Sequence, residues 1–401
     1  MLAWNGQKTY PPKPAPNCFG LWFSAFGLGL SSRMNVAETE DQGQRPKAKD
    51  QTQMTTATTT EAIYDNLSRL LSTTVPDFEL RLKAELASEI NRLKVEKNAV
   101  ILGHNYMEPA LFYSIPDYVG DSLELSRKAA QSNKDIIVFC GVKFMAETAK
   151  ILNPTRKVLV PSEKAGCSLA ASITAEDVRE LKAQFPGVPV VTYINTYADV
   201  KAESDICCTS GNAVAVVNSL NTDKVIFIPD EYLAANVARE TGKQIIYPTK
   251  DPKQRFRDDF DYQMIGWPGR CEVHEKFTVE DIANVRKQFP DVVILAHPEC
   301  SPEVVEASDF SGSTTAMIKF VEKTNAPHYL MLTECSMGDN VAAANPDKEM
   351  LRLCSIRCPH MNQITLEDTL EALRKEQFEI VIDEEIRRRA YLAVERMLHI
   401  G

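Results

Sequence analysis

One pattern recurs three times along this chain and restricts the possible folds more than any other feature. It is an apolar run, polar residues directly behind it, an Asp, and then a Ser ahead of a helical pattern. The runs are Val100 to Leu102, Val188 to Thr192 and Val292 to Ala296, each of which reads as a buried parallel strand. They lead into His104-Asn-Tyr, Tyr193-Ile-Asn and His297-Pro-Glu-Cys. Asp117, Asp205 and Asp309 fall 12 or 13 residues after the first His or Tyr, and Ser122, Ser210 and Ser313 fall 16 to 18 after it. A second strand and helix complete each copy: Ile136 to Cys140 with Lys143 to Leu152, Val225 to Pro229 with Tyr232 to Ala238, and Tyr329 to Thr333 with Ser336 to Ala343. Each copy ends near a cysteine, Cys167, Cys271 or Cys358.

A repeat of about 85 to 100 residues is too long for a solenoid unit and suits a small domain. Alternating strand and helix patterns, running to about residue 345, argue for parallel sheets covered by helices. The expected fold is therefore three similar Rossmann-like α/β/α domains related by pseudo-threefold symmetry. The boundaries read as 97–187, 188–290 and 291–360, with helices at 61–96 ahead of them and at 361–401 behind. Pro76 separates the first two helices, which are expected to pack on the first domain. In the final helix, Leu392, Val394 and Met397 are expected to form a modest apolar face. The second copy is longer, and residues 248–269 read as a surface loop inserted into it.

The chain has 401 residues, 44% of them apolar, enough to bury large cores. Residues 1–60 are the exception and read as a disordered extension. Within them Phe19 to Leu30 resembles a signal-peptide core with unsuitable flanks. The expectation is a biological start at Met34 or Met54, with a transit peptide as the other reading. A net charge of −10 leaves no basic footprint for nucleic acid, and no run of 18 apolar residues is present to cross a membrane. Ten scattered cysteines are too sparse for a disulfide-stapled secreted domain, so reduced thiols and a cytoplasmic location are expected.

Cys167, Cys271 and Cys358 lie 104 and 87 residues apart, which is no local metal motif, and a buried cysteine is often only a small hydrophobe. Their equivalent positions in three similar domains change the reading, because such positions can meet on one axis. Three thiolates suit a [4Fe-4S] cluster with one open iron or a Cys₃ zinc site with an open position, and an open position means Lewis acid chemistry. Cys354 could substitute for Cys358 but has no counterpart in the other copies. Cys140, Cys207, Cys208, Cys300 and Cys335 read as structural.

Asp121-Ser, Ser210-Gly-Asn and Gly312-Ser-Thr each open a helix pattern. Singly they are ordinary caps; three converging at strand carboxyl ends would hold a small molecule bearing carboxylates or a phosphate. His104, Tyr106, Tyr193, Asn195, His297 and Glu299 all follow first strands and face the same place. They supply the groups that proton transfer about a carbonyl or imine needs. His274, His328 and His399 have no place in the pattern, His360 stands beside Cys358, and all four are left unassigned.

Gly103-His-Asn-Tyr, Val119-Gly-Asp-Ser, Phe144-Met-Ala-Glu-Thr-Ala, Ala165-Gly-Cys-Ser-Leu-Ala, Tyr193-Ile-Asn, His297-Pro-Glu-Cys and Cys358-Pro-His-Met together resemble the motifs of the quinolinate synthases, from about residue 78 to the C-terminus. The resemblance implies condensation of iminosuccinate (iminoaspartate) with dihydroxyacetone phosphate to quinolinate, phosphate and water in de novo NAD biosynthesis. It implies a [4Fe-4S] cluster on Cys167, Cys271 and Cys358. A substrate site of His104, Ser122, Tyr193, Ile194, Asn195, Ser210, His297, Pro298, Glu299, Ser313 and Thr314 is implied as well. Tyr106 and Glu299, supported by His297, would carry protons. An L-aspartate oxidase or aspartate dehydrogenase would supply the imine. Another cluster-dependent hydro-lyase would need no phosphate pocket, and an iron-sulfur sensor would need a readout element, for which no basic helix-turn-helix is present.

Overall fold

A computed structural model describes residues 59–248, 261–353 and 356–400. Most of the expected N-terminal extension, part of the expected insertion, and Cys354 lie outside these residues. Among the described residues thirteen strands form three sheets. The first contains β1 (Ala99–His104), β2 (Tyr118–Gly120), β3 (Ile136–Cys140) and β4 (Lys157–Leu159), in the order β2-β1-β3-β4. The second contains β5 (Val190–Tyr193), β6 (Ile206–Cys208), β7 (Val225–Ile228), β8 (Ile245–Ile246) and β9 (Met264–Gly266), in the order β6-β5-β7-β9-β8. The third contains β10 (Val292–Ala296), β11 (Phe310–Ser311), β12 (His328–Leu332) and β13 (Glu349–Leu351), in the order β11-β10-β12-β13. All pairings within the three sheets are parallel.

The sheets are buried on both faces, as their apolar strands require. Side chains alternate across a strand, so Val292, Ile294 and Ala296 join one core while Leu295 joins another on the opposite face. In the second sheet Ile226 and Ile228 pack to one side, and Val225 and Phe227 to the other. The result is three α/β/α units.

The recurring Asp does the same work three times. Asp117, Asp205 and Asp309 each stand one residue before a short edge strand. Their Oδ2 atoms accept from the backbone N–H of Ile101, Val190 and Ile294, each at 2.8 Å. Their own N–H groups donate back to the carbonyls of the same three residues. Each bonded strand residue lies three positions before His104, Tyr193 or His297, so the staple fixes where the strand ends and the polar cluster begins.

Each repeat cysteine is also followed by one local structure. A short 3-10 turn begins three residues on, at Ala170–Ser172, His274–Lys276 and Met361–Gln363. Seven residues on, Thr174, Thr278 and Thr365 cap helices Ala175–Gln184, Val279–Gln288 and Leu366–Lys375 through Asp177, Asp281 and Asp368.

Three expectations need correction. Residues 248–269 do not form only a surface loop, because Met264–Gly266 is a buried strand parallel to β7. The strand pattern runs past residue 345 to β13. In the last helix, Glu384–Leu398, Leu392 faces outward at 51% exposure, and the buried stripe is Ala390, Ala393, Val394 and Met397. The expected first helices are Thr60–Leu71 and Asp77–Glu96; the second packs on β1 and the first also reaches the third unit at helix Cys335–Ala344. Helix Glu384–Leu398 joins the first two units, packing on helices Lys143–Leu152 and Ala198–Ala202 and on β6. Among the described residues no helix is long and apolar enough to cross a membrane.

Candidate active site

The carboxyl ends of β1, β5 and β10 meet at one cleft. His104 and Tyr193 are the last residues of β1 and β5, and His297 follows the last residue of β10. The cleft is lined by His104, Tyr106, Ser122, Tyr193, Asn195, Ser210, His297, Glu299 and Thr314, together with Cys167, Cys271 and Cys358. Ile194, Pro298 and Ser313 do not form its wall. The Ile194 side chain belongs to the core, and the Pro298 carbonyl accepts from Asn236 Nδ2 at 2.9 Å. Ser313 Oγ caps its helix at the Ala316 N–H and donates to Asp121 Oδ2 at 2.9 Å.

The three thiols have matching surroundings. The N–H groups of the residues two and three positions on face each sulfur: Leu169 and Ala170 for Cys167, Val273 and His274 for Cys271, and His360 and Met361 for Cys358. Burial nevertheless pushes the Cys167 thiol up to about 12 and the Cys358 thiol up to about 11, and raises that of Cys271 as well. Thiolates here need a bound cation beyond the backbone dipoles, and three soft sulfurs with N–H donors fit iron and sulfide. Among the described residues a different set could also hold a metal ion, Cys271, His274 and Glu299, whose ligand atoms lie within 4.8 Å of one another. In that set His274 and Glu299 already satisfy each other, so the cysteine trio is the better cradle for a multinuclear group.

Glu299 is the hub of the polar wall. It is 3% exposed and accepts from Tyr193 OH and, at 3.2 Å, from Asn195 Nδ2 through Oε1, and lies 2.7 Å from His274 Nδ1 through Oε2. Burial works against its charge, but His274, His297 and the Tyr193 hydroxyl outweigh it and hold the carboxyl below its usual range. Burial raises the Tyr106 and Tyr193 phenols well above theirs, so both stay protonated.

His104 and His297 are paired in form. Each Nδ1 accepts from the backbone N–H two residues on, Tyr106 at 3.2 Å and Glu299 at 3.3 Å. An accepting Nδ1 leaves the proton on Nε2. Burial lowers the two imidazoles to about 4 and about 3, so both are neutral donors near pH 7.

The three helix starts differ in detail from the expectation. Asp121, Asn212 and Ser313 are the cap residues, while Ser122 and Thr314 are the first residues of helices Ser122–Gln131 and Thr314–Lys323, and Ser210 precedes Asn212 by two. Asn105 Nδ2 donates to Thr314 Oγ1 at 2.9 Å, joining the first unit to the third.

His274 is the main residue that the sequence reading missed. It is 2% exposed, stacks on the His297 ring with centroids 4.6 Å apart, and lies with Nδ1 3.2 Å from Cys271 Sγ. Its Nε2 lies 3.0 Å from Thr333 Oγ1 and 3.4 Å from Tyr106 OH. Glu299, His274 and Tyr106 thus form a line of carboxylate, imidazole and phenol. The position of His274 at the start of the turn after Cys271 was the available signal.

Known proteins resemble this chain over most of its length. The family model described as quinolinate synthetase A protein (NadA) matches residues 88–399. Quinolinate synthase 2 of Mesorhizobium japonicum is 51% identical over 338 residues, 84% of this chain and 97% of that protein. The quinolinate synthase of Caulobacter vibrioides is 51% identical over 330 residues, 81% of this chain and 84% of its own. That of Sinorhizobium medicae is 45% identical over 373 residues, 93% of this chain and 95% of its own.

Proposed function

This chain belongs to the quinolinate synthase family, and from that premise we propose that it condenses iminosuccinate with dihydroxyacetone phosphate to give quinolinate, phosphate and water. Cys167, Cys271 and Cys358 hold a [4Fe-4S] cluster in this reading. The observation that carries it is the single cleft in which these cysteines, one from each unit, meet the polar ends of three first strands. When bound, the cluster supplies an open Lewis-acid position.

The chain's own groups do the rest. His104 and His297 present Nε2–H donors that bind carboxylate or carbonyl oxygens without adding charge. Ser122 and Thr314, at the starts of two helices, place hydroxyls and free N–H groups toward the phosphate. Ser210 completes that end, and Ile194, Pro298 and Ser313 support the wall from behind. Tyr193 and Asn195 orient Glu299, which fixes His274 with its proton on Nδ1. The bare Nε2 of His274 can then take a proton from Tyr106, and Tyr106 can exchange one with the substrate. In this reading Tyr106 and Glu299 act with His297 as catalytic residues, His274 links them, and an L-aspartate oxidase or aspartate dehydrogenase supplies the imine in the cytoplasm.

The test is iron, sulfide and zinc content, with the visible spectrum, of protein purified without oxygen, beside Cys167→Ala, Cys271→Ala and Cys358→Ala. Roughly four iron and four sulfide per chain, lost in each variant, are expected. The same wild-type protein is expected to form quinolinate from the two substrates. Zinc in place of iron, retained in Cys167→Ala and Cys358→Ala, would move the metal to Cys271, His274 and Glu299 and overturn the cluster reading.

A further inference from the structure

Tyr106 belongs to the first unit, yet both its backbone and its hydroxyl are held by the third. Asn340, on helix Cys335–Ala344, is 2% exposed. Its Nδ2 donates to the carbonyl of Asn105 at 3.2 Å and to that of Met107 at 2.9 Å. These carbonyls stand immediately before and after Tyr106, so one amide bridges the loop on both sides of it. Both partners can only accept, which fixes the amide with its NH₂ toward the loop. At the other end, Thr333 Oγ1, two residues ahead of the first residue of that helix, lies 2.6 Å from the Tyr106 hydroxyl. Tyr113 donates to the Asn340 carbonyl, tying the same helix to the chain that follows the loop.

We propose that Asn340 is a positioning residue for Tyr106, fixing the backbone on either side of it so that the phenol stays within reach of His274 and Thr333. Asn340 is absent from the cleft wall, so it acts through the loop and not on substrate. A loop pinned at one residue can still rotate about that point; two carbonyls bonded to one rigid amide cannot turn independently. The inference deepens the proposed function and rests on it for the catalytic role of Tyr106.

The test uses cluster-loaded Asn340→Asp, which keeps the shape but replaces the donor by an acceptor facing two carbonyls, and Asn340→Ala as a second variant. Expected are a fall in kcat of about 10- to 100-fold, KM values within about threefold of wild type, and unchanged iron content. In a Tyr106→Phe background Asn340→Asp is expected to add no further loss, because the group it positions is gone. A second readout needs no turnover: with 3-fluorotyrosine in place of Tyr106, the ¹⁹F resonance is expected to broaden or shift in the Asn340 variants. An equal loss in the Tyr106→Phe background, or an unchanged resonance, would overturn the positioning role. If the wild-type protein forms no quinolinate, the functional reading fails and the ¹⁹F resonance alone decides the inference.

Discussion

Replacing Glu299 by Gln should stop turnover without unfolding the site. Three donors converge on this buried carboxylate: Tyr193 OH and Asn195 Nδ2 at Oε1, and His274 Nδ1 at Oε2, 2.7 Å away. An amide of the same shape offers one accepting oxygen in place of two. If that oxygen serves Tyr193 and Asn195, the new NH₂ faces Nδ1–H, and His274 relieves the clash by moving its proton to Nε2. Nε2 then donates to Thr333 Oγ1, 3.0 Å away, and can no longer accept from Tyr106. The stability cost is that of one buried donor losing a charged acceptor, about 2 kcal/mol. The catalytic cost is larger, because wrong-tautomer substitutions in carboxylate–histidine pairs cost up to about 10⁴ in kcat. Tyr106 keeps its bond to Thr333, so a loss of about 10³ is expected. The assay is steady-state quinolinate formation by Glu299→Gln, with iron content measured on the same sample. Activity within about tenfold of wild type would refute the tautomer argument. Loss of iron with the carboxylate would refute it differently, by making Glu299 a metal ligand.

The three Asp staples should differ in cost when mutated to Asn, which keeps an acceptor for the strand N–H. Asp117→Asn also takes the carboxylate from Lys94, a 2.9 Å pair in which the lysine side chain is 5% exposed, so about 2 kcal/mol is expected. Asp309→Asn breaks only the half-exposed pair with Arg286, and Asp205→Asn only weakens its strand bond, so each should cost about 1 kcal/mol or less. Urea midpoints give the order, and Asp117 ranking equal to the others would sink the account. Acid should destabilise the protein through His104 and His297, which are neutral when folded, at about 4 and about 3, and protonate near 6.5 when unfolded. The unfolded chain binds more protons below about pH 6.5, so stability falls from there toward pH 4. His297→Asn should flatten that slope, and an equally steep slope in the variant would count against it. Cys140→Ser should keep its iron, because Cys140 is buried in the first sheet beside Thr369 and away from the cleft; a colourless variant would contradict this.

The repeat made much of the architecture readable, because its parts have separate physical causes. Apolar runs specify strands buried on both faces, and an Asp at constant spacing specifies the staple that ends each one. A further signal lies in Cys-x₆-Thr-x₂-Asp, which occurs at Cys167, Cys271 and Cys358 and encodes the turn and capped helix behind each thiol. Strand β9 was hidden because Met264-Ile-Gly is too short an apolar run to stand out beside a charged stretch. Leu392 was misassigned because hydrophobicity alone does not give the phase of a helix; the alanines 390 and 393 set it. Thr333 and His274 could not be paired from sequence, since 59 residues separate them and only the docking of the units brings them to 3.0 Å.

That docking explains why the site is built across unit boundaries. The first unit supplies His104, Tyr106, Ser122 and Cys167, the second Tyr193, Asn195, Cys271 and His274, and the third His297, Glu299, Thr314, Thr333 and Cys358. All three donors to the Glu299 carboxylate come from the second unit, so docking, which takes the charge out of water at a cost of several kcal/mol, also brings the Tyr193, Asn195 and His274 groups that offset it. The charge is therefore tolerated only in the docked arrangement, where its donors are in place. The last helix holds the first two units in that relation: Arg387 donates to the Ile151 carbonyl and Arg396 to that of Asp205, while Asn212 donates to the carbonyls of Met397 and Ile400. In this protein the polar cluster of the cleft and the packing of the three units are one set of interactions, so neither forms fully without the other.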